Sequence, residues 1–547
     1  MLRNVLEGYF DCINREREFD APLLALLAAM GFYDIHFTHG AGEFGKDFIA
    51  KLMDGGSVTQ YSLQSKCGDI NQKVWRDDIA GQMLEALSTP LSHPHFDDSL
   101  PHQSVLVTTG RLLSNAALAL QSLNRKITSK FKELPIIVWD RIRLIDLFAK
   151  NGLEGVHRAT AAGFQSYGEF YALYGETLQD RFSERRLEKY SRHWLNESID
   201  VRKRMLIAVV EAEAIATVLR DRGYLFEAIY VHLGVWRATL AAVYASRADD
   251  EVLDYLLGLL DQVRISTENL VREYHYAIVA EWTPTNDLLP AIRGVGSFVN
   301  YPVQCIRILG MAALHYFLND NEDERSAVVE FLRRFVVAEP GCAHPISDRY
   351  AVLLVFGALA LASAGDIDIV SDLVRRTAVW TCDRYELGVG LASVEADALD
   401  EVEMLIGYPF SSVNVTARKH SFVATGLCDI AATVGPPSLY TNVVNDCLAT
   451  GIAFDYWQTP DSAGQFVIGS EDTIHYPNIR FEDYLLPLAP LQYAEHIREE
   501  PLVFQLADEL GPVNYIAISL LLRDRYFPSL WQAMISRKSV TDGAGSA

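Results

Sequence analysis

The chain has 547 residues, 50% of them hydrophobic and 22% charged, enough apolar material for the cores of two or three domains and too much for a disordered chain. A formal charge of -23 at pH 7 excludes a protein whose whole surface coats nucleic acid, because phosphate binding needs clustered Lys and Arg. The acidity is unevenly placed: residues 1–150 carry 16 Lys and Arg against 18 Asp and Glu, the remainder 32 against 53, so a local basic groove in the N-terminal part stays open.

The seven cysteines are scattered, odd in number and never in a C-x-x-C pair. Neither a disulfide framework nor a zinc site is expected from them, and a reducing cytoplasm fits. The opening MLRNVLEGYFDCINRERE has no apolar run of the kind a secretory leader needs, and AVLLVFGALALASA at 351–364 is too short for a bilayer and reads as a buried helix. No membrane partner is expected.

Taken in chain order, PLLALLAAM at 22–30 predicts a helix closed by Gly31. Residues 33–38 and 46–52 are strand-like, and Gly55-Gly56 marks a hairpin turn before VTQYSLQSK. Residues 72–87 return to helical spacing through Val74, Ile79, Met83 and Leu87. Then come a strand SVLVTT at 104–109, a helix through NAALALQSL, a strand PIIVW at 135–139 and a helix RLIDLFAK. This order predicts an α/β domain, a mixed sheet flanked by helices, over residues 1–155. A basic helical stretch at 156–205 reads as a linker, and 206–540 as a large, mainly α-helical domain with helices near 202–221, 224–245, 250–272, 302–318, 324–337, 347–364 and 366–378. An irregular break at 454–482 clusters Gly, Pro, Asp and Ser around aromatic residues.

The chemistry-bearing stretch is GKDFIAKLMDGGSVTQYSLQSK at 45–66. Alternation along a strand puts Gln64 and Lys66 on one face, and Asp47 on the partner strand can lie beside them. A carboxylate, an amide oxygen and an ammonium converging on one point suit a magnesium site, with the lysine left to handle the attacking water or the charge on a phosphate. On spacing alone the better reading is a charged edge hairpin. His36 and His39 flank the preceding turn and suit local hydrogen bonding or a general base; SHPHF at 92–96 pairs His93 with His95 without Cys or acid at metal spacing and reads as loop.

The segments EFDAPLLALLAAMGF, HGAGEFGKDFIAK, YSLQSKC, SVLVTTGRLLSNAALAL and IIVWDRIRLIDLF, over roughly residues 15–150, resemble in order the Mrr-like branch of the restriction-endonuclease (PD-(D/E)-x-K) superfamily. The resemblance implies a restriction-endonuclease-like fold that cuts DNA with magnesium, manganese being the alternative ion. It implies Asp47, Gln64 and Lys66 as catalytic residues, with Asp47 and Gln64 on the metal, and matches Thr108, Thr109 and Gly110 to the family's turn before a helix. The family's first-helix acid falls on Asp20, a further catalytic and metal-binding candidate, with Glu18 as the fallback. Asp20 ahead of Pro22 equally fits a helix N-cap.

Lys46, beside the acid, and Arg185, Lys189 and Arg192, one face of RFSERRLEKYSRHW together with Arg181, are nucleic-acid-binding candidates. Glu184 and Glu188 in the same run equally suit a solvated helix with charge pairs one turn apart. Arg141 and Arg143 are placed to flank a duplex or to lie on the surface. Phe454, Tyr456 and Trp457 suit packing or a stacking pocket at a helix end.

The expected activity is therefore metal-dependent DNA cleavage governed by an acidic helical domain that binds a protein or small-ligand activator, in a homo-oligomer, on the pattern of a prokaryotic anti-phage defence effector. The alternatives are a catalytically degenerate DNA-binding scaffold and an RNA-cleaving nuclease with the same metal site.

Overall fold

The computed structural model describes residues 2–38, 45–91, 93–131, 134–151, 164–180, 182, 184–196, 199–246, 250–283, 297–394, 396, 420–456, 463–468, 479–480 and 509–522. The chain divides into two compact units, Met1–Gly175 with Asn196–Ala214, and Glu176–Leu195 with Ile215–Ala547.

The first unit opens on helices α1 (Leu2–Asp11) and α2 (Glu16–Ala29). Strands β1 (Tyr33–Phe37), β2 (Phe48–Asp54) and β3 (Ser57–Lys66) follow. Helix α3 (Gln72–Val74) runs through a π-helical turn at Trp75–Ile79 into α4 (Ala80–Ser88). Strand β4 (His102–Thr108), helix α5 (Ser114–Lys126), strand β5 (Ile137–Trp139) and helix α6 (Arg141–Asn151) come next, and the unit also takes in most of helix Phe164–Leu178 and the start of helix Val201–Asp221. The sheet order is β1-β2-β3-β4-β5. The first two pairings are antiparallel and the last two parallel, the mixed sheet flanked by helices that the order of elements predicts.

The β2–β3 turn is made by Gly55 and Gly56, both at positive φ (55° and 87°), the pair of left-handed conformations a two-residue hairpin needs and only glycine adopts freely. This hairpin is not at the edge. β3 is the central strand and β1 and β5 are the edges, so the edge-hairpin explanation of the charged residues on β3 is removed. The closing strand is shorter than 135–139 because the Ile136 N–H donates to Asn124 Oδ1 (2.9 Å) instead of joining the ladder.

Two apolar layers cover the sheet. Phe10, Phe19 and Phe148 meet at 5.8–6.2 Å between ring centres and lock α1, α2 and α6 together, while Ile79, Met83, Leu106 and Leu120 belong to a second buried cluster under α4 and α5. Buried at about 25 cal/mol per Å² of apolar surface, such layers hold the central strands fixed against solvent.

The second unit is helical over most of its described length, with helices Leu225–Ala245, Asp250–Glu281, Ser297–Leu318, Glu322–Ala338, Ala351–Ser363 and Ile367–Glu386 close to the predicted runs. Ala351–Ser363 is buried almost throughout, and among the described residues no helix is long and apolar enough to cross a membrane. All seven cysteines are free. Phe454 is a buried residue of a strand, Ala453–Tyr456, rather than the end of a helix; Trp457 lies outside the described residues.

The basic run divides differently from its spacing. Helix Glu184–Ser191 passes into a 3-10 turn at Arg192–Leu195, so no single helical face extends across the run, and Arg181 is outside the described residues. Arg185 and Lys189 are exposed, whereas Glu184 and Glu188 are buried. The two acids are not solvated partners of their neighbours: Arg349 donates to Glu184 (2.7 Å) and Glu188 (2.6 Å), and Arg307 to Glu184 and to Glu227 (3.1 Å). Packing inverts this helix, acids inward and cations outward, because only distant arginines satisfy carboxylates out of water.

Candidate functional site

Asp47 sits at the start of β2, where its backbone N–H donates to Leu63 O (2.8 Å) and its carbonyl accepts from Thr38 N (3.0 Å). These bonds fix it between β1 and β3. Register aligns Phe48 with Leu63, so Asp47 comes level with Gln64, the neighbour alternation predicts. Asp47 Oδ2 accepts from Gln64 Nε2 (2.9 Å) and from Ser65 N (2.6 Å). Asp47 and Gln64 are each only 5% exposed. Two N–H donors thus fix the orientation of a buried carboxylate.

The approach to Asp47 needs Gly45, which has φ +71° and would place a Cβ 2.1 Å from Gln82 O. The chain passes the α4 backbone too closely for any side chain there, which is the physical content of the glycine in the E-F-G-K-D turn.

Gln64 turns its amide nitrogen toward the carboxylate because its oxygen would be repelled there. Its Oε1 is then buried without a hydrogen-bond partner among the described residues. An orphaned buried acceptor costs about 1–3 kcal/mol. The amide oxygen and the Asp47 carboxylate are both hard oxygen donors, the chemistry that suits magnesium or manganese rather than a thiophilic ion. The residues present therefore fit a magnesium ion.

Lys66, at the end of β3, is largely buried at the side chain, and its Nζ pairs with Glu16 Oε1 (3.2 Å). The stretch after it is clamped by the threonines of the predicted turn: Thr108 Oγ1 donates to Gly68 O (2.7 Å) and Gly68 N to Thr109 Oγ1 (3.1 Å).

The first-helix acid is resolved in an unexpected way. Helix α2 starts at Glu16, so Asp20 lies inside it and is not the N-cap, and Pro22 is interior rather than in the first turn. Capping falls to Glu18, whose Oε2 accepts from Asn14 N (2.9 Å) and Arg15 N (3.3 Å), which occupies the fallback candidate. Asp20 is half-buried. Glu16, one turn before Asp20 on the same helix face, is the carboxylate that reaches Lys66; the i, i+4 spacing was the available signal.

Lys46 is 4% exposed and its ammonium donates to Thr89 O (2.9 Å); burial pulls it below the ordinary lysine range. It presents no charge to solvent. Arg141 donates to Glu7 O (2.8 Å) and pairs with Asp11, tying α6 to α1, and Arg143 is exposed. His39 lies outside the described residues, whereas His36 comes together with His93 and His95. No family model, no curated protein and no solved structure matches this chain.

Proposed function

We propose that the first unit is a magnesium-dependent endonuclease acting on DNA, with Asp47 and Gln64 holding the ion and Lys66 facing the scissile phosphate. The observation that carries the reading is the buried Asp47–Gln64 pair in the centre of the sheet, with the orphaned Gln64 Oε1 beside it. Bound there, magnesium or manganese supplies Lewis-acid polarisation of a phosphoryl oxygen and a more acidic bound water.

The chain's own residues divide the remaining work. Ser65 N and Gln64 Nε2 orient the Asp47 carboxylate, and the Lys66 ammonium offsets the negative charge that grows on the phosphate oxygens. Glu16 holds Lys66 in the absence of substrate and gives it up when a phosphate competes. Of the candidate cations in the second unit, Arg185 and Lys189 are exposed and Arg192 is half-buried, the side chains offered to a nucleic-acid backbone. That acidic helical unit is the regulatory part, binding a protein or small-ligand activator and assembling copies of the chain, as expected of a defence effector.

One observation favours the silent-scaffold alternative: both donors near Asp47 and the Lys66 ammonium already have internal partners. A plasmid-nicking assay with and without magnesium, run beside a structured RNA, separates the readings. Asp47→Asn and Lys66→Met are expected to lower metal-dependent DNA cleavage by roughly 100-fold or more. Cleavage unchanged by both substitutions would remove the site; DNA binding without cleavage under any ion would leave the scaffold, and cleavage confined to RNA would change the substrate.

A further inference from the structure

A second donor cluster lies in the same unit. The side chains of His36, on edge strand β1, and of His93 and His95, in the segment before β4, bring one nitrogen each within 4.8 Å of one another. The His36 and His93 rings are 3.8 Å apart between centres, and His95 lies 5.4 and 5.0 Å from them. The two contributing segments are more than fifty residues apart, so the meeting is a product of the fold.

The backbone is bent to make it. Tyr33 faces Lys51 but His36 faces Ile49, an extra residue on β1, and Asp34 takes a left-handed φ of 48°. In an unbroken register Ile35 would face Ile49 and His36 would point to the opposite side of the sheet. A bulge of this kind re-aims a side chain, at a cost of about 1–3 kcal/mol for a non-glycine residue in a sparsely populated conformation. What it delivers is His36 Nε2, buried and without a hydrogen-bond partner among the described residues. The acid two residues before it is engaged elsewhere, since Asp34 accepts from Lys51 Nζ at 3.0 Å.

We infer that His36, His93 and His95 form a binding site for a single zinc-class divalent ion, held by three imidazole nitrogens with a water at the open position. Imidazole is a borderline donor that suits zinc, cobalt, nickel and copper, and three histidines with one open position are an established zinc arrangement. Zinc–nitrogen bonds of about 2.0–2.1 Å in a tetrahedron need ligand atoms roughly 3.4 Å apart, so the cluster closes by side-chain rotations of about an ångström. The ion pins the loop before β4 to the edge strand β1. This site is separate in donors and in preferred metal from the oxygen site at Asp47 and Gln64.

The test is titration of tag-free, chelator-stripped full-length protein with zinc chloride by calorimetry, and with cobalt chloride followed by visible absorption. One equivalent of zinc and a tetrahedral cobalt spectrum are expected. His95→Ala, at an exposed position, and His36→Gln should each weaken zinc binding by roughly tenfold or more, while Asp47→Asn should leave it unchanged. Absence of saturable binding at one equivalent, or binding that both histidine variants retain, overturns the assignment.

Discussion

Replacing Asp47 by Ala removes a buried acceptor and leaves two donors stranded. Ser65 N–H and Gln64 Nε2 give their bonds to Asp47 Oδ2 at a position 5% exposed, where water does not freely substitute. Each stranded buried donor costs about 1–3 kcal/mol, so Asp47→Ala should destabilise the first unit by roughly 2–5 kcal/mol. Asp47→Asn can set its single oxygen where Oδ2 stands and accept from both Ser65 N–H and Gln64 Nε2, losing the charge assistance of both bonds; roughly 1–2 kcal/mol is expected. The measurement is urea unfolding of the full chain read by hydrogen exchange in the β2–β3 hairpin, since a chain of two units need not unfold in one step. An alanine variant within about 0.5 kcal/mol of the parent, the range of ordinary surface changes, would refute the buried-acceptor reasoning. The ordering matters for function as well: the asparagine variant remains folded enough that its loss of cleavage reports on the metal site.

The buried ion network in the second unit predicts that Arg349→Met, which takes one guanidinium away from buried Glu184 and Glu188 while Arg307 stays on Glu184, costs about 3–5 kcal/mol; adding Glu188→Gln should recover part of it, and a single variant as stable as the parent in a thermal melt would contradict the pairing. Burial holds His102 at a pKa of about 4, with its Nε2 beside Ser62 Oγ at 2.8 Å. Its folded value lies below its unfolded one, so its contribution is present above pH 6.5 and is lost as pH falls toward 4. This amounts to about 2 kcal/mol between pH 7 and pH 5. His102→Gln should flatten the acid limb of stability by that amount, and an unchanged pH slope by urea titration would show that His102 is not the group responsible.

Local pattern carried much of the fold. Two glycines at a turn, alternation through YSLQSK and helical spacing in 72–87 and 114–126 are short-range signals, and they placed the mixed sheet and set Gln64 beside Asp47. The long helices of the second unit were legible for the same reason: a period of 3.6 persists over many turns.

Other features depended on where the chain goes next. Whether Asp20 or Glu18 caps α2 turned on the Asn14–Arg15 backbone that Glu18 reaches, and a helix start is only loosely marked in sequence. Glu16 became the partner of Lys66 across fifty residues. Lys46 turned inward, and Glu184 with Glu188 turned in toward Arg307 and Arg349, because burial is a property of the packed neighbour and not of the residue. SHPHF read as loop by spacing, and a bulge at Asp34 alone brought His36 to it. Sequence by itself determined most elements of the first sheet, their order and the alignment of Asp47 with Gln64, since these follow from backbone period and turn chemistry. Tertiary structure alone decided which charges face water and which imidazoles meet, since both are set by contacts between segments that share no local pattern.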